Sequence, residues 1–319
     1  MAYLLLFLGL YMLIKGAGFF VEGSSGIAKS LRVPPLLIGL TIVAFGTSTP
    51  EAAVSITASL EGLSGISLGN VLGSNIFNTA FIIGLTALMY PMKIEQETIR
   101  KEIPFTLLAS IMLLVVIADK TLQSYGTNLV SRADGFILLL VFSVFIYYLF
   151  EMARNNREKT VVIHENSEFI KPLGTNLLFT LGGLAGIILG GNFAVKGSTA
   201  VALALGMSEA LIGLTIIAIG TSLPELITSI TAAIKKETEI AIGNVIGSNI
   251  FNILFILGVS SIINPLAVDE KLITDTIILI FYTIILFIFS RTQHTINKFE
   301  GTVLFMSYLG YMIFIVLRN

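Results

Sequence analysis

Residues 39–78 read GLTIVAFGTSTPEAAVSITASLEGLSGISLGNVLGSNIFN, and residues 213–252 read GLTIIAIGTSLPELITSITAAIKKETEIAIGNVIGSNIFN. At a constant offset of 174 and without gaps, 24 of these 40 positions are identical. Apolar composition alone produces chance matches of Leu, Ile and Ala; it does not place GTSxPE and GNVxGSNIFN twice in the same order at the same separation. The chain around the two copies has 319 residues, 55% hydrophobic and 12% charged, with a mean hydropathy of +0.92. That exceeds the apolar share of soluble domains, so a water-soluble globular protein is excluded. Twenty acidic against nineteen basic residues leave a net charge of −1, too balanced and sparse for a nucleic-acid partner. With no cysteine, disulfides, thiolate metal sites and a cysteine nucleophile are excluded, and ligands must be oxygens or the two histidines.

The first apolar run, from about Tyr3 to Phe20, has no basic leader and no Ala-x-Ala site, so it reads as a mature membrane helix. Further apolar runs lie near 33–60, 65–91, 103–118, 135–150, 173–195, 205–234, 239–263, 272–290 and 301–317, and each is read as a span of the hydrocarbon core. The expected fold is an all-α integral membrane protein with ten transmembrane helices in two five-helix repeats, residues 1–151 and 173–319. The polar stretch 152–172 is a linker. Grouping the loops after helices 1, 3, 5, 7 and 9 collects thirteen of the nineteen basic residues, which places the linker in the cytoplasm and both termini outside. Each copy begins at the second helix of a five-helix half. Because five is odd, the copies cross the membrane in opposite directions, the plan of secondary transporters.

Within a copy, Ala44, Thr47, Ser48 and Glu51 fall at i, i+3, i+4 and i+7 on one helix face, as do Ala218, Thr221, Ser222 and Glu225. Pro50 and Pro224 cannot donate to the carbonyls of Gly46 and Gly220, so each helix is expected to open beside its Glu. On the next helices, Ser74 with Asn78 and Ser248 with Asn252 sit four apart, while Gly69, Gly73, Gly243 and Gly247 allow close approach. The hydroxyls and amides taken singly also have a plainer reading as interhelical glue, which the spacing makes the weaker one. The carboxylates do not: an ionised Glu at mid-bilayer costs about 3 kcal/mol or more, and neither helix has an Arg or Lys beside it. Two carboxylates among hydroxyls, amides and carbonyls suit a hard cation such as Ca²⁺ or Na⁺, and their two charges match one divalent ion.

The motifs GTSTPE and GTSLPE with GNVLGSNIFN and GNVIGSNIFN resemble the paired α-repeats of the calcium/cation antiporter superfamily, and the layout is similar to its prokaryotic sodium/calcium exchangers. The resemblance implies a secondary antiporter exchanging Na⁺ for Ca²⁺ across the plasma membrane by alternating access, three Na⁺ for each Ca²⁺. It further implies that helices 1 and 6 slide against the rest. Glu51 and Glu225 would be the shared ligands, with Thr47 and Thr221 at the centre. Ser48, Ser74 and the Ala44 carbonyl would line one flanking Na⁺ site; Ser222, Ser248 and the Ala218 carbonyl would line the other. Asn78 and Asn252 would close the central plane. Asn252 stands where some members, including potassium-dependent exchangers, have Asp, so K⁺ co-transport is not expected. The GNxxEH of proton/cation exchangers is missing, which speaks against a proton-driven antiporter.

His164 and His294 are read as solvated, and Lys15 as snorkelling to the interface rather than gating. A channel would form its ring from several subunits, whereas here the repeat lies within one chain, so a monomer suffices. No hydrolytic constellation is present, so an enzyme is not expected. No cofactor is expected; the ions are substrates, and the bilayer is the one other partner read from the chain.

Overall fold

The computed structural model describes residues 2–122, 127–160, 172–204 and 218–318. The linker residues 161–171, with His164, and residues 205–217 of the seventh expected span lie outside the described residues. The helices are α1 Ala2–Leu31, α2 Pro35–Thr47, α3 Thr49–Leu60, α4 Ser64–Met89, α5 Gln96–Arg100, α6 Glu102–Val116, α7 Asp119–Leu122, α8 Arg132–Thr160, α9 Leu173–Ala204, α10 Ala218–Thr221, α11 Leu223–Ile234, α12 Thr238–Ile263, α13 Glu270–Arg291 and α14 Lys298–Arg318. Four strands of two residues each complete the list: β1 Met92–Lys93, β2 Leu129–Val130, β3 Leu266–Ala267 and β4 Thr295–Ile296.

Among the described residues, 7 helices are long and apolar enough to cross a membrane, or 8 if α2 and α3 form one bent span. The helix α6 has 15 residues, about 22 Å at 1.5 Å per residue. The helix α8 runs on past Glu151 to Thr160, because Glu151, Met152 and Ala153 are strong helix formers and nothing before residue 160 breaks the backbone ladder. The polarity of the chain is inverted relative to a soluble protein. Phe7, Leu140, Leu178, Phe281 and Leu317 are exposed, while Glu51, Asn78, Glu225 and Asn252 are at most 1% exposed. Such a surface requires hydrocarbon as its solvent. Lys15 and His294 are both exposed.

The chain forms two compact units, and they cut across the sequence repeat. One comprises Met1–Pro50 with Tyr148–Asn244, the other Glu51–Tyr147 with Val245–Asn319. Each therefore takes residues from both copies.

In the first unit, α1 and α9 run antiparallel in close backbone contact. A Cβ on Gly16 would lie 2.8 Å from the Ile187 nitrogen, and one on Gly190 would lie 2.7 Å from the Leu13 nitrogen. The glycines that permit this are Gly9, Gly16 and Gly23 on α1 and Gly183, Gly190 and Gly197 on α9, three positions at seven-residue spacing on each helix, related by the same offset of 174. A seven-residue period keeps one seam facing the partner helix.

In the second unit, contacts come in pairs that exchange the copies. β1 pairs antiparallel with β4, and β2 with β3. Gly84 packs on Gly301, and Gly258 on Gly135. Phe77 stacks on Phe81 at 4.6 Å, and Phe251 on Phe255 at 4.8 Å. The N-termini of α8 and α14 carry matching reciprocal caps. Asp134 Oδ2 accepts from the Ser131 N–H while Ser131 Oγ accepts from that of Asp134; Glu300 Oε2 and Asn297 Oδ1 do the same. Outside the spans, Lys120 Nζ donates to Glu270 Oε1 at 2.6 Å, which raises the lysine pKa.

Candidate functional site

The first unit holds Ala44, Thr47 and Ser48 of the first polar stripe and the counterpart stripe at the α10–α11 junction. The α2 helix widens into a π turn over Gly39–Val43 and ends at Ser48, where φ is −80° and ψ 8°. The chain then bends by 49° into α3. Ser222 breaks the other copy in the same way, with φ −89° and ψ 5°. Both breaks fall two residues ahead of the prolines, which cannot continue the ladder. The expectation of a helix opened beside each Glu is therefore met by a pair of matching breaks.

At the first break, Thr47 Oγ1 has three acceptors for its one proton: the Val43 carbonyl at 3.0 Å, the Ala44 carbonyl at 3.3 Å and Asn244 Oδ1 at 3.0 Å. The Ala44 carbonyl also accepts the Ser48 N–H at 3.0 Å. Ser48 Oγ donates to Glu225 Oε1 at 2.8 Å, a charge-assisted geometry for a carboxylate that is 1% exposed. Thr47, Ser48, Ser222 and Glu225 are thus gathered on buried or partly buried turns of one unit. For Ala218 only the backbone is described, as the first residue of α10; Thr221 ends that turn, half-buried.

The second unit carries Glu51, Ser74, Asn78, Ser248 and Asn252, all buried. Glu51 opens the regular part of α3. Asn78 and Asn252 lie inside π turns, Phe77–Ile82 on α4 and Phe251–Ile256 on α12. π turns widen a helix locally and are frequent at functional sites. Here they join the two helices through amides. Asn78 Nδ2 donates to Asn249 Oδ1 at 3.1 Å, and Asn252 Nδ2 donates to Asn75 Oδ1 at 3.0 Å. The outward ends, Asn78 Oδ1 and Asn252 Oδ1, are buried and have no hydrogen-bond partner among the described residues.

Sequence reasoning missed two sets of residues. Asn70 Nδ2 donates to the Glu51 carbonyl at 3.3 Å and to Ser55 Oγ at 2.9 Å; Asn244 Nδ2 donates to the Glu225 carbonyl at 3.3 Å and to Ser229 Oγ at 2.9 Å. Each Asn therefore holds the first turn after a helix break. The second set is Asn75, Asn249 and Thr79. Their signal was present: Asn70, Ser74 and Asn78 are spaced by four, and both Asn70 and Asn75 recur unchanged at 244 and 249.

No group of three or more His, Asp or Glu side chains that could hold a metal occurs among the described residues. The donor set is instead one of carboxylate, hydroxyl and amide oxygens, suited to weakly held hard cations that must also leave. Exposed apolar side chains around buried carboxylates and amides define an integral, multi-pass membrane protein with the attributes of an ion carrier. The sodium/calcium exchanger protein family matches residues 1–151 and 175–317, and the chain belongs to that family, one of cation antiporters.

Among relatives, the sodium/calcium exchanger MaX1 of Methanosarcina acetivorans is 37% identical over 344 residues, covering 98% of this chain and 97% of that protein. The inner membrane protein YrbG of Escherichia coli is 37% identical over 270 residues, covering 83% and 81%. Among solved structures, the sodium-calcium exchanger NCX_Mj soaked with Na⁺ and Ca²⁺ superposes with a TM-score of 0.83 at 32% identity, covering 98% of this chain and 97% of that one.

Proposed function

We propose that the protein exchanges Na⁺ for Ca²⁺ across the plasma membrane by alternating access, moving three Na⁺ for each Ca²⁺ without K⁺. The ten-helix reading with two inverted five-helix repeats, both termini outside and residues 152–172 cytoplasmic, belongs to the same proposal, as does function as a monomer without a cofactor. One observation carries it: both copies bury the same oxygen donors, a carboxylate, hydroxyls and an amide oxygen, and two of those oxygens, on Asn78 and Asn252, have no donor among the described residues. Carbonyl oxygens buried without a donor are costly unless a ligand uses them.

In this reading Glu51 and Glu225 are ligands shared by Ca²⁺ and Na⁺, with Thr47 and Thr221 beside them. Ser48, Ser74 and the Ala44 carbonyl take one flanking Na⁺; Ser222, Ser248 and the Ala218 carbonyl take the other. Asn78 and Asn252 supply neutral oxygens to the centre. Two glutamates give a charge of −2, which one Ca²⁺ or two Na⁺ would neutralise. A third Na⁺ leaves the occupied set at +1, so one net charge moves per cycle, worth about 2.3 kcal/mol per 100 mV of membrane potential.

The test is Ca²⁺ uptake into Na⁺-loaded proteoliposomes, with the Na⁺ gradient reversed in sign between trials and the potential clamped by an ionophore. Uptake follows the Na⁺ gradient, ignores K⁺ and speeds up when the interior is positive. Uptake driven by a pH gradient without Na⁺, or a strict need for K⁺, overturns the assignment of the counter-ion; rates indifferent to potential overturn the third Na⁺.

A further inference from the structure

The amide pair that faces the ion in this reading is itself held by other amides, and the direction of every link in that chain is fixed. The two ends of an Asn amide have nearly the same size and shape, so only hydrogen bonds decide whether the oxygen or the NH₂ group points a given way. For Asn78 the decision traces back to a group that cannot switch. The Thr79 hydroxyl donates to the Asn75 backbone carbonyl at 2.8 Å, so its lone pairs remain for Asn249 Nδ2, which donates to it at 2.8 Å. Asn249 Oδ1 is then an acceptor, and it takes Asn78 Nδ2 at 3.1 Å. Asn78 Oδ1 is left pointing away from these amides, buried and without a hydrogen-bond partner among the described residues.

For Asn252 the chain is shorter. Asn75 Nδ2 donates to the Asn249 backbone carbonyl at 3.2 Å, so Asn75 Oδ1 faces Asn252 Nδ2 at 3.0 Å and Asn252 Oδ1 points away. The two arms differ because Ile253 occupies the place in α12 that Thr79 has in α4. One arm ends on a backbone carbonyl through a hydroxyl, the other directly.

We propose that Asn75 and Asn249 are positioning residues that decide which end of the Asn252 and Asn78 amides is offered to the transported cation, a proposal that rests on the cation-site reading above. Without Asn249 the NH₂ of Asn78 has no acceptor. It then either turns toward the ion, where its positive end is repelled, or stays buried and unsatisfied when the oxygen binds. Both lower the affinity for the ion, and neither removes a ligand.

A side chain indifferent to its own orientation separates this role from packing. Asp at position 78 offers an oxygen whichever way it turns. In Na⁺-loaded proteoliposomes, Asn249→Ala raises the KM for Ca²⁺ by about tenfold with a small change in maximal rate. In an Asn78→Asp background the same substitution changes KM by about twofold or less, or improves it, because the carboxylate no longer meets Asn249 Oδ1. Asn75→Ala behaves likewise with Asn252 and with Asn252→Asp. Equal losses in both backgrounds overturn the proposal.

Should Asn249→Ala fail to yield monodisperse protein, Thr79→Val cuts the same arm one link further back without changing the side-chain shape. It raises KM in the Asn78 protein and not in the Asn78→Asp protein; a loss shared by both overturns the proposal equally. Asn78→Ala and Asn252→Ala report on the underlying reading. If both leave the KM for Ca²⁺ and for Na⁺ unchanged, the amides are not ligands and the cation-site reading falls with the proposal. If they raise KM while the paired backgrounds lose equally, only the positioning role is wrong.

Discussion

The turn after Leu60 and the turn after Ile234 occupy equivalent places in the two copies and follow the same backbone path with different residues. In the first, Gly62 takes φ 76°, and the Leu63 N–H reaches back to the Ala58 carbonyl at 2.8 Å. In the second, Lys236 takes φ 64°, and the Glu237 N–H reaches the Ala232 carbonyl at 2.8 Å. What differs is what the turn holds. Lys235 Nζ donates to the Gly18 carbonyl at 2.6 Å, and Ser25 Oγ donates to Glu237 Oε1 at 2.6 Å, so the second turn is anchored to α1. Backbone geometry is preserved in this turn although its sequence diverges, whereas the buried carboxylates, hydroxyls and amides of the candidate site are unchanged between the copies. Identity at those buried polar positions marks chemistry, and the differences in this turn mark local anchoring.

The strongest way to break that distinction is to treat the two glutamates as unequal. Glu51→Gln and Glu225→Gln are each expected to abolish Ca²⁺ uptake into proteoliposomes while the protein stays monodisperse, since each removes half of the charge opposing the ion. Glu61→Gln, at an exposed position, should leave uptake near normal. Near-normal exchange in one buried variant would make the copies chemically inequivalent.

Next in size is a pair found on one copy alone. Arg318 makes bonds of 3.0 Å to both oxygens of Asp275, tying the end of α14 to the start of α13. The side chains are 18% and 7% exposed. Arg318→Ala is expected to cost about 3 kcal/mol, because it strands a mostly buried carboxylate. A thermal unfolding midpoint no lower than that of the native protein would place the pair among solvent-screened ones.

The clamps after the helix breaks sharpen the comparison from the other side, since here the copies agree. Asn70→Ala and Asn244→Ala each leave a serine hydroxyl and a carbonyl without their donor, a loss of about 2 kcal/mol. Denaturant unfolding in detergent measures both, and a large loss in one with none in the other would show that only one break is held this way.

Much of this was legible in advance. The apolar runs and the prolines behind the breaks at Ser48 and Ser222 follow from composition and backbone chemistry, whereas the stripe from Thr47 to Glu51 assumed one continuous helix where the chain bends by 49°. The roles of Asn75 and Asn249 did not follow, because an i, i+4 reading assumes 3.6 residues per turn, and the π turns beginning at Phe77 and Phe251 change which side chains share a face. No local propensity announces those turns. They arise where α4 and α12 are joined through their amides, by contacts 171 and 177 residues apart in the chain. The glycine seam of α1 and α9 was visible as a seven-residue period at the same offset, lying outside the stretch whose identity drew attention. That the compact units mix the copies is a long-range property of the same kind as the amide lattice.

The smallest effect tests the turns themselves. A Cβ on Gly62 would meet only Asn264 Nδ2, at 3.8 Å, an ordinary contact. Gly62→Ala thus isolates the cost of a left-handed backbone in an L residue, about 1 kcal/mol of destabilisation. Lys236 already bears that strain. Lys236→Gly relieves about 1 kcal/mol of it and loses about half as much through the greater freedom of a glycine in the unfolded chain. The exposed side chain of Lys236 takes few contacts with it, so strain relief wins and the variant gains about 0.5 kcal/mol. The two substitutions should shift the unfolding midpoint in opposite directions, the glycine variant by the smaller amount. A destabilised Lys236→Gly protein would mean that the lysine side chain, and not only its backbone, contributes to the anchoring against α1, and that the second turn diverged for that contact.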